Sequence, residues 1–438
     1  MTGKAIVAIV GRQNVGKSTL LNRLAGQRIA IVEDMPGTTR DRVFAEVSWR
    51  GDEFTLVDTG GLEISPDSTV GRGVREQVDM AVDEADAIIF MVDVRDGVTV
   101  PDREAADLVR RSGKPVVVAA NKADNERLEA HAVEFYELGL GEPLPISAHH
   151  AHGTADLLDR LMLLIPPPPV DTAGDEMLKV AIVGRPNVGK SMLLNAMLGS
   201  ERVIVDDAPG TTRDAIDTVL DLDGQSVLLI DTAGMRRRGR LRVGIERYSV
   251  MRALRAVDRA DVALLVLDAT EGSTAQDTHV AGYVQQAAKG IVLIVNKWDL
   301  VDQDNRSDWD SYLRSQFRFV AYAPLLYTSA KFGTGVAAVL PKADEVYRER
   351  LKRLPTSQVN RVVLDAVAAH APARRGRRQL KVFHATQPDV NPPTFVFFVN
   401  DSRLVHFSYR RYLENKLRQA FGFEGTPLRM VFKSRSEQ

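Results

Sequence analysis

The chain reads Gly11-Arg12-Gln13-Asn14-Val15-Gly16-Lys17-Ser18 near its beginning and, 173 positions later (184 minus 11), reads Gly184-Arg185-Pro186-Asn187-Val188-Gly189-Lys190-Ser191. Both stretches match the Gly-x-x-x-x-Gly-Lys-Ser pattern of a phosphate-binding loop. Glycines let such a loop turn tightly, so that backbone N–H groups at the start of the following helix point at an anion. The repeat therefore predicts two phosphate-binding sites in one chain.

Two further motifs repeat in the same order. Asp58-Thr59-Gly60-Gly61 returns 173 positions later (231 minus 58) as Asp231-Thr232-Ala233-Gly234. Asn121-Lys122-Ala123-Asp124 returns 175 positions later (296 minus 121) as Asn296-Lys297-Trp298-Asp299. A single short motif can arise by chance, whereas ordered sets at nearly fixed spacing indicate a duplicated domain. We interpret the chain as a tandem GTPase.

The Asn-Lys-x-Asp motif indicates which base is bound. A carboxylate at Asp124 or Asp299 accepts hydrogen bonds from N1–H and the exocyclic amine of guanine, and adenine offers neither donor there. A ligand that leaves buried polar groups unpaired can lose orders of magnitude in affinity. The sequence thus predicts GTP and GDP as ligands, with each base pocket completed through the backbone of Ser147-Ala148 and of Ser329-Ala330-Lys331.

The same loops supply the predicted catalytic and metal-binding groups. Lys17 and Lys190 are expected to reach the outer phosphates. Mg²⁺ takes oxygen ligands and keeps several waters, so one hydroxyl and one water-bridged carboxylate per site are the expected protein ligands. The predicted Mg²⁺ ligands are Ser18 and Asp58 in the first copy, and Ser191 and Asp231 in the second.

One feature departs from the layout of many GTPases. Leu62 and Met235 follow the metal-binding loops, where a glutamine often orients the attacking water, and neither side chain can do so by hydrogen bonding. The sequence also indicates no arginine finger. Asn14 and Asn187, three residues before the loop lysines, are candidate potassium ligands at the place of such a finger. The alternative, that each asparagine only braces its loop, stays open from the sequence.

Apolar runs alternate with longer helical stretches in both copies. This alternation predicts an α/β fold, with two tandem P-loop GTPase domains built on doubly wound, mostly parallel sheets. Each motif follows a strand, at the carboxyl end where such sheets bind ligands. The predicted strands are Ala5-Val10, Phe54-Val57, Ala87-Val92 and Pro115-Ala120, then Lys179-Val183, Val227-Ile230, Val262-Leu267 and Gly290-Val295.

Proline and charge mark the predicted domain boundaries. Four prolines at 166–169 cannot continue a helix and favour an extended spacer, so we place a linker at 166–176. The G domains are then 1–165 and 177–352. Residues 353–438 form an α+β module, in which Leu380-Ala385 and Thr394-Val399 read as strands and Arg410-Phe421 as a helix.

Composition restricts the class of protein. The length of 438 residues suggests roughly three domains. A hydrophobic content of 44% with 26% charged residues is typical of soluble globular proteins, and the lack of cysteine excludes disulfides. The N-terminus leaves no room for a signal segment, and no apolar run approaches the ~20 residues of a membrane helix. We expect a cytoplasmic monomer without a membrane partner.

The net charge of -1 conceals a strong asymmetry. Residues 351–438 contain 16 Lys or Arg and 6 Asp or Glu, a net charge of +10, which leaves -11 on the first 350 residues. Such a contrast indicates a basic module that binds a polyanion, joined to acidic machinery. A basic surface that is merely solvated is the alternative.

The chain as a whole resembles the bacterial Der (EngA) family of GTPases, which have two tandem G domains and a KH-like C-terminal domain. The stretches 34–41, reading Asp34-Met35-Pro36-Gly37-Thr38-Thr39-Arg40-Asp41, and 207–214, reading Asp207-Ala208-Pro209-Gly210-Thr211-Thr212-Arg213-Asp214, match the switch I of that family. The C-terminal module matches it through Asn391-Pro392-Pro393-Thr394-Phe395 and through residues 406–415.

This resemblance implies GTP hydrolysis coupled to assembly of the large (50S) ribosomal subunit on ribosomal RNA in a bacterial cytoplasm, with potassium stimulating turnover through the loop asparagines. It also implies that Thr38 or Thr39, and Thr211 or Thr212, close over Mg²⁺ in the GTP state. Two positions deviate: Gln13 replaces a usual proline, and Met192 replaces a hydroxyl residue that the first copy keeps as Thr19.

The sequence also contains one cluster of histidines and two clusters of arginines. His149, His150 and His152 lack the ligand spacing of a metal site, so we interpret them as loop residues. Arg236-Arg237-Arg238-Gly239-Arg240 is either a solvated loop or a switch II segment that reports the nucleotide state. Arg374-Arg375-Gly376-Arg377-Arg378 lies in the basic module, and we find no Gly-x-x-Gly loop there, so electrostatic docking on structured RNA is favoured.

Two other functions remain open from the sequence. A signalling-type switch would use the C-terminal module to bind a protein and would have only incidental affinity for RNA. A partner in tRNA modification is a third hypothesis, but no residues resembling a catalytic modification site are found.

Overall fold

The computed structural model describes residues 4–25, 44–60, 78–79, 81, 85–165, 177–199, 203–205, 217–222, 224–232, 250–302, 306–372, 374–375 and 378–434. The chain divides into two compact units, Met1–Thr172 with Ser249–Arg255, and Ala173–Tyr248 with Ala256–Gln438. The linker at 166–176 lies outside the described residues, and the domain boundaries stay predictions.

The first unit is a six-stranded sheet with helices. Its strands are β1 Ala5–Val10, β2 Phe44–Trp49, β3 Asp52–Asp58, β4 Ala87–Asp93, β5 Val116–Asn121 and β6 Pro143–Pro145. Its helices include α1 Lys17–Ala25, α2 Val100–Ser112, α3 Glu126–Ala130 and α4 Thr154–Met162, with a 3-10 helix at His131–Leu138. The strand order is β2-β3-β1-β4-β5-β6, and the pairs are parallel except β2–β3.

Strand β1 lies inside this sheet, between β3 and β4. Its last five residues are fully buried. A strand covered on both faces needs apolar residues at every position, which explains the unbroken run Ala5–Val10. The phosphate-binding loop follows directly from this rigid strand.

The second unit repeats this architecture. Its strands are β7 Leu178–Val183, β8 Val203–Val205, β9 Thr218–Leu222, β10 Gln225–Ile230, β11 Val262–Asp268, β12 Gly290–Asn296 and β13 Leu325–Tyr327, in the order β13-β12-β11-β7-β10-β9-β8. The pairs are parallel except β8–β9 and β9–β10. The helices include α5 Lys190–Leu198, α6 Val250–Arg259 (of which Ala256–Arg259 belong to this unit), α7 Ala275–Gln286, α8 Arg306–Gln316 and α9 Val339–Leu351. Short 3-10 helices lie at Trp298–Leu300, Arg318–Val320 and Val336–Ala338.

The C-terminal module belongs to this second unit. It contains α10 Thr356–Ala369, β14 Arg374–Arg375, β15 Arg378–Gln379, β16 Val382–Asp389, β17 Thr394–Val399, a 3-10 helix Ser402–Leu404, α11 Phe407–Phe421 and β18 Arg429–Ser434. Strands β14 and β15 form a hairpin, and β17 pairs antiparallel with β16 and parallel with β18. One face of this sheet and the two helices enclose a core that includes Val359, Phe395, Phe397 and Leu413.

The predicted α/β class is confirmed, and so is the α+β module. Each predicted G-domain strand overlaps an observed one, and Thr394–Val399 has the predicted bounds. The predicted strand at 380–385 is misplaced, because Leu380 and Lys381 precede β16, which continues to Asp389. The antiparallel strands β2 and β9 were not predicted because polar residues, Glu46 and Ser48 in β2 and Thr218 and Asp221 in β9, interrupt their apolar runs. No helix in the described ranges is long and apolar enough to cross a membrane.

A Gly-x-x-Gly stretch lies at the junction of the module with the second G domain. The expectation that the module lacks this spacing is wrong, because Gly422-Phe423-Glu424-Gly425 has it. The Phe423 amide donates to Glu349 Oε2 (2.6 Å), and the Gly425 amide donates to the Tyr322 carbonyl (2.8 Å). A Cβ on Gly425 would lie 2.3 Å from a Val346 methyl, so this glycine allows close packing on α9. The stretch therefore packs the module against the second G domain, and the Phe423 and Gly425 amides are hydrogen-bonded to protein acceptors.

Arg350 is the buried charge at this junction. Its side chain is 1% exposed, and burial lowers its pKa to about 10. Nε donates to Asn391 Oδ1 (2.9 Å), Nη1 donates to the Ala288 carbonyl (2.9 Å), and the Arg350 carbonyl accepts from the Asn391 amide (3.0 Å). The buried guanidinium therefore connects the module, through Asn391, with the second G domain, through Ala288.

Replacing Arg350 by Ala should lower the free energy of unfolding of the second unit by about 3 kcal/mol, because it leaves buried acceptors unpaired. Arg348→Ala on the same helix is the matched control, since that side chain is 72% exposed and its pair with Asp344 is expected to contribute under about 1 kcal/mol. Urea unfolding of chains that also carry Trp49→Phe, followed by the fluorescence of the two remaining tryptophans, Trp298 and Trp309, measures both. Equal effects of the two substitutions would contradict a junction role for Arg350.

Candidate nucleotide-binding sites

The two phosphate-binding loops adopt the same backbone. Gly16 and Gly189 have φ values of +102° and +97°, in the left-handed region that favours glycine. A Cβ on either would lie 2.3 Å from the side-chain nitrogen of Asn121 or Asn296. Glycine is thus required where the phosphate loop meets the base-recognition motif.

One asparagine ties three motifs together in each domain. Asn121 Nδ2 donates to the Val15 carbonyl (2.6 Å), and its Oδ1 accepts from the Ala148 amide (2.9 Å). In the second domain Asn296 Nδ2 donates to the Val188 carbonyl (2.8 Å), and its Oδ1 accepts from the Ala330 amide (3.0 Å). The structure thus brings together the phosphate loop, the Asn-Lys-x-Asp motif and the serine-alanine segment.

The loop lysines lie buried in their own loops. Lys17 Nζ donates to the carbonyls of Gly11 (2.6 Å) and Arg12 (2.9 Å), and Lys190 Nζ donates to the Arg185 carbonyl. Burial lowers the pKa of Lys17, although the charge of Asp58 opposes this. Both ammonium groups are therefore held where a phosphate on the loop would meet them.

The predicted magnesium ligands of the first site lie together. Ser18 Oγ donates to Asp58 Oδ2 (2.5 Å), and the Gly60 amide donates to Asp58 Oδ1 (2.9 Å). A hydroxyl beside a carboxylate is the oxygen donor set that Mg²⁺ prefers, so these residues fit the ion. In the second site Ser191 lies in the first turn of α5, and Asp231 directly follows β10, where its amide donates to Asp217 Oδ1 (2.9 Å).

The base-recognition carboxylates are positioned by serines. Ser147 Oγ donates to Asp124 Oδ1 (2.7 Å), and Ser329 Oγ donates to Asp299 Oδ1 (2.5 Å). The Ser147 hydrogen bond, with Arg95, holds the pKa of Asp124 below its ordinary value despite partial desolvation. A carboxylate that stays ionised is the acceptor that guanine requires.

Sequence reasoning missed several carboxylates that support these sites. Lys122 and Lys297 pair with Asp93 and Asp268, each at 2.5 Å. Arg185 pairs with Asp277 (2.9 Å) and Glu271 (2.7 Å), and Arg12 pairs with Asp96, with Asp102 3.8 Å away. The sequence does contain a signal for these carboxylates. Asp93 and Asp268 are 175 positions apart, as are Asp102 and Asp277, and this is the spacing of the two Asn-Lys-x-Asp motifs.

The remaining predicted residues have varied surroundings. Asn14 and Asn187 are exposed, with φ values of 65° and 63°, and Gln13 is also exposed. Met192 is 52% exposed, and the Lys331 ammonium lies over the Phe332 ring. The predictions for Thr38, Thr39, Gly61, Leu62, Thr211, Thr212, Ala233, Gly234, Met235 and Arg236–Arg240 fall outside the described residues.

The histidines after Ser147 have protein partners. The rings of His149 and His150 meet edge to face at 4.7 Å, and His152 Nδ1 lies 3.2 Å from Glu129 Oε1. In the part of the chain that the structure describes, no three His, Asp or Glu side chains group as a metal site would require.

Comparison with known proteins identifies the family. A family model described as "50S ribosome-binding GTPase" matches residues 6–122 and again 179–297. A GTPase Der of Chloroflexus aggregans is 52% identical over 444 residues, covering 99% of both chains. The chain belongs to the GTPase Der family. A GTPase Der of Moorella thermoacetica is 53% identical over 438 residues, covering 99% of this chain and 100% of that one.

The C-terminal module agrees with this assignment. Residues 353–433 match the model of the C-terminal KH-domain-like region of EngA bacterial GTPase enzymes. Among solved structures, a probable GTP-binding protein engB is 24% identical, and the match covers 37% of this chain and 98% of that one. Its TM-score of 0.28 is too low to support any argument beyond the sequence relatives. As a member of the GTPase Der family, the chain is a GTPase with two tandem G domains and a KH-like module.

One difference between the two candidate sites of this Der-family chain concerns a neighbour of the Asn-Lys-x-Asp carboxylate. Arg95 Nη2 donates to Asp124 Oδ2 (2.5 Å), the carboxylate that the sequence predicts to accept from guanine. The equivalent residue of the second domain, 175 positions on, is Thr270, which bonds to Asp268 instead. Arg95 would therefore compete with a guanine base for Asp124, whereas Thr270 makes its bonds to Asp268 rather than to Asp299.

Replacing Arg95 by Thr should raise the GTP affinity of the first site by up to about 5-fold, since an exposed ion pair contributes up to about 1 kcal/mol. Thr270→Arg is the matched control and should lower the affinity of the second site. Titration with a fluorescent GTP analogue, in chains whose other site carries Lys17→Ala or Lys190→Ala, measures each site separately. A lower affinity of the first site after Arg95→Thr would show that Arg95 binds the nucleotide rather than competing with it.

Proposed function

We propose that this GTPase couples GTP binding and hydrolysis at both sites to assembly of the large ribosomal subunit through contact with ribosomal RNA. The proposal rests on two predicted guanine-nucleotide sites in one chain that also carries a C-terminal module, residues 353–438, with 15 Lys or Arg against 6 Asp or Glu, a net charge of +9. The family description "50S ribosome-binding GTPase" for both G domains supports the same partner. The proposed active form is a monomer in the bacterial cytoplasm.

At each site the chain's own groups would position the nucleotide. Backbone amides at the start of α1 and α5 would bind the phosphates, with Lys17 and Lys190 at the outer ones. Asp124 and Asp299 would accept from the guanine edge. Thr38 or Thr39, and Thr211 or Thr212, would close over the site in the GTP state.

Two cations are part of the proposal. Ser18 with Asp58, and Ser191 with Asp231, would hold Mg²⁺, which neutralises charge on the phosphates when bound. Asn14 and Asn187 would present neutral amide oxygens to K⁺ at the rim of each loop. The phosphate-loop arginines are engaged elsewhere, because Arg185 is held by Asp277 and Glu271, and Arg12 by Asp96.

The basic module is proposed to supply much of the affinity for ribosomal RNA. Changing Arg374, Arg375, Arg377 and Arg378 together to Ala should weaken binding to large subunits by about 10-fold or more, because fewer counterions are released. The slope of log affinity against log salt should fall by a few units, at most about one per lost phosphate contact. Sedimentation with purified large subunits at several salt concentrations measures both quantities.

GTP hydrolysis by the isolated quadruple variant should stay near that of the unsubstituted protein, because these arginines lie outside both G domains. If the variant still sediments with large subunits at unchanged salt sensitivity, the module docks on a protein. The signalling-switch hypothesis would then gain over RNA contact.

A further inference from the structure

The two predicted magnesium carboxylates differ in backbone conformation. Asp58 is the last residue of strand β3, where it pairs with β1 in extended backbone. The corresponding pairing of β10 with β7 ends one residue earlier, at Ile230, and Asp231 has a φ of +58°, in the left-handed region. Residues other than glycine adopt this region rarely, and such outliers concentrate at functional sites. Asp231 therefore lacks the extended backbone that directs Asp58 toward Ser18.

The carboxylate of Asp217 holds Asp231 in this conformation. Asp217 Oδ1 accepts from the Asp231 amide (2.9 Å) and from Arg259 Nη1 (3.4 Å), and its Oδ2 accepts from Arg259 Nη2. The side chain of Asp217 is only 5% exposed, so water competes little for these bonds. A hydrogen bond to an ionised acceptor is stronger than one between neutral groups. Arg259, the last residue of α6, thus fixes the carboxylate that binds the Asp231 amide.

The next residue of the chain turns to the same neighbouring strand. The hydroxyl oxygens of Thr232 and of Thr218, the first residue of β9, lie 2.6 Å apart, and both side chains are buried. In the first domain the equivalent hydroxyl, Thr59 Oγ1, donates to the Ile9 carbonyl of β1 (2.6 Å). The chain that follows the metal-binding strand is therefore bonded toward β9 in the second domain and toward β1 in the first.

The first domain does not carry the residues that make this contact. The positions equivalent to Asp217 and Thr218 are Phe44 and Ala45 (217 minus 44 and 218 minus 45, each 173), and the strand register agrees. Neither a phenyl ring nor a methyl group can accept from a backbone amide or pair with a hydroxyl. The difference between the two metal carboxylates is therefore encoded in the sequence.

We propose that Asp217, fixed by Arg259, is a positioning residue of the second site that holds Asp231 away from Mg²⁺. The hydroxyl of Ser191 and the carboxylate of Asp231 are oxygen donors of the type that Mg²⁺ prefers, so only the backbone of Asp231 opposes the ion. Binding of Mg²⁺ requires Asp231 to give up its bond to Asp217. The second site therefore needs more Mg²⁺ than it would without this contact. The inference rests on the proposed magnesium ligands and adds the residue that controls one of them.

The test uses the full chain with Lys17→Ala, so that nucleotide binding reports the second site, and measures dissociation of a fluorescent GDP analogue at several Mg²⁺ concentrations. Asp217→Ala should lower the Mg²⁺ concentration that half-maximally slows dissociation by about 10-fold, the equivalent of one hydrogen bond to a charged group. Arg259→Gln should lower it by about 3-fold, because a partly exposed ion pair contributes less. Asp217→Asn should stay within about 2-fold of the parent chain, because its side-chain oxygen still accepts from the Asp231 amide.

A substitution on the same strand is the matched control. Asp221 of β9 also accepts from a backbone amide, that of Gly224 (2.7 Å), but Asp231 is not its partner. Asp221→Ala should therefore leave the Mg²⁺ dependence unchanged. General damage to the domain would weaken the binding of both Mg²⁺ and nucleotide, so it cannot explain a lower Mg²⁺ requirement.

An unchanged Mg²⁺ requirement after Asp217→Ala would overturn the proposal. A higher requirement would also overturn it, because Asp217 would then assist the metal. If Asp217→Ala does not fold, Arg259→Gln decides between the same outcomes. The proposed magnesium ligands fail separately, when Mg²⁺ has no effect on dissociation from the chain that carries only Lys17→Ala.

Discussion

Replacing Asp299 by Asn is expected to lower the affinity of the second site for GTP by about 100-fold or more and to create affinity for xanthosine triphosphate. The carboxylate, held by Ser329 Oγ at 2.5 Å, would accept from N1–H and the exocyclic amine of a bound guanine. An amide at this position presents a donor, which would face the exocyclic amine of guanine but pairs with the oxygen that xanthine carries there. Competition of each nucleotide against a fluorescent GDP analogue measures the change.

Asp124→Asn should have the same effect on the first site only. Each single variant is therefore the control for the other, because the two pockets lie in separate domains. Ser147→Ala should cost less, since it removes a positioning hydrogen bond and keeps the acceptor. GTP affinity that stays unchanged in both Asn variants would contradict the assignment of the base pockets.

Hydrolysis should be faster in potassium than in sodium at equal ionic strength, on the order of 10³-fold if the cation takes the place of an arginine finger. The described arginines of the phosphate loops are paired with carboxylates, which leaves the charge of the transition state to another group. Asn14 and Asn187 lie at equivalent loop positions and carry the amide oxygens a cation would need. Steady-state release of phosphate in the two salts is the measurement.

Asn14→Ala and Asn187→Ala should each remove the potassium response of their own site while leaving nucleotide affinity within a few-fold. Gln13→Pro, which introduces the residue that the second loop carries as Pro186, is a control that changes the loop without removing a proposed ligand. Equal rates in potassium and sodium would mean that the asparagines brace their loops, the alternative that the sequence left open.

The sequence predicted much of the two sites because their chemistry is local. Gly16, Lys17 and Asn121 are recognisable at fixed spacing, and the structure places Asn121 against both the phosphate loop and Ala148. The motifs did not reveal which other side chains hold them in position. Asp93 lies 29 residues from its partner Lys122, so only the fold brings the pair together (122 minus 93).

The junction of the C-terminal module depends even more on contacts between residues that are distant in sequence, which motifs cannot reveal. Arg350 sits in a charged helical stretch, where a solvated side chain is the natural expectation. Its burial depends on Asn391 and Thr426, which come from distant parts of the chain. The stacked rings of His384 on β16 and Phe398 on β17, with centroids 4.2 Å apart, also depend on strand register, because a one-residue shift would turn either side chain to the opposite face of the sheet.

Sedimentation of the protein with purified large ribosomal subunits, with GTP, GDP or a non-hydrolysable GTP analogue, tests the central claim most directly. A GTPase that couples hydrolysis to assembly should bind in one nucleotide state and leave after hydrolysis. We expect stable association with the analogue, weaker association with GDP, and release over time with GTP as it is hydrolysed. Binding that is equal with all three nucleotides, or absent with all of them, would contradict the account.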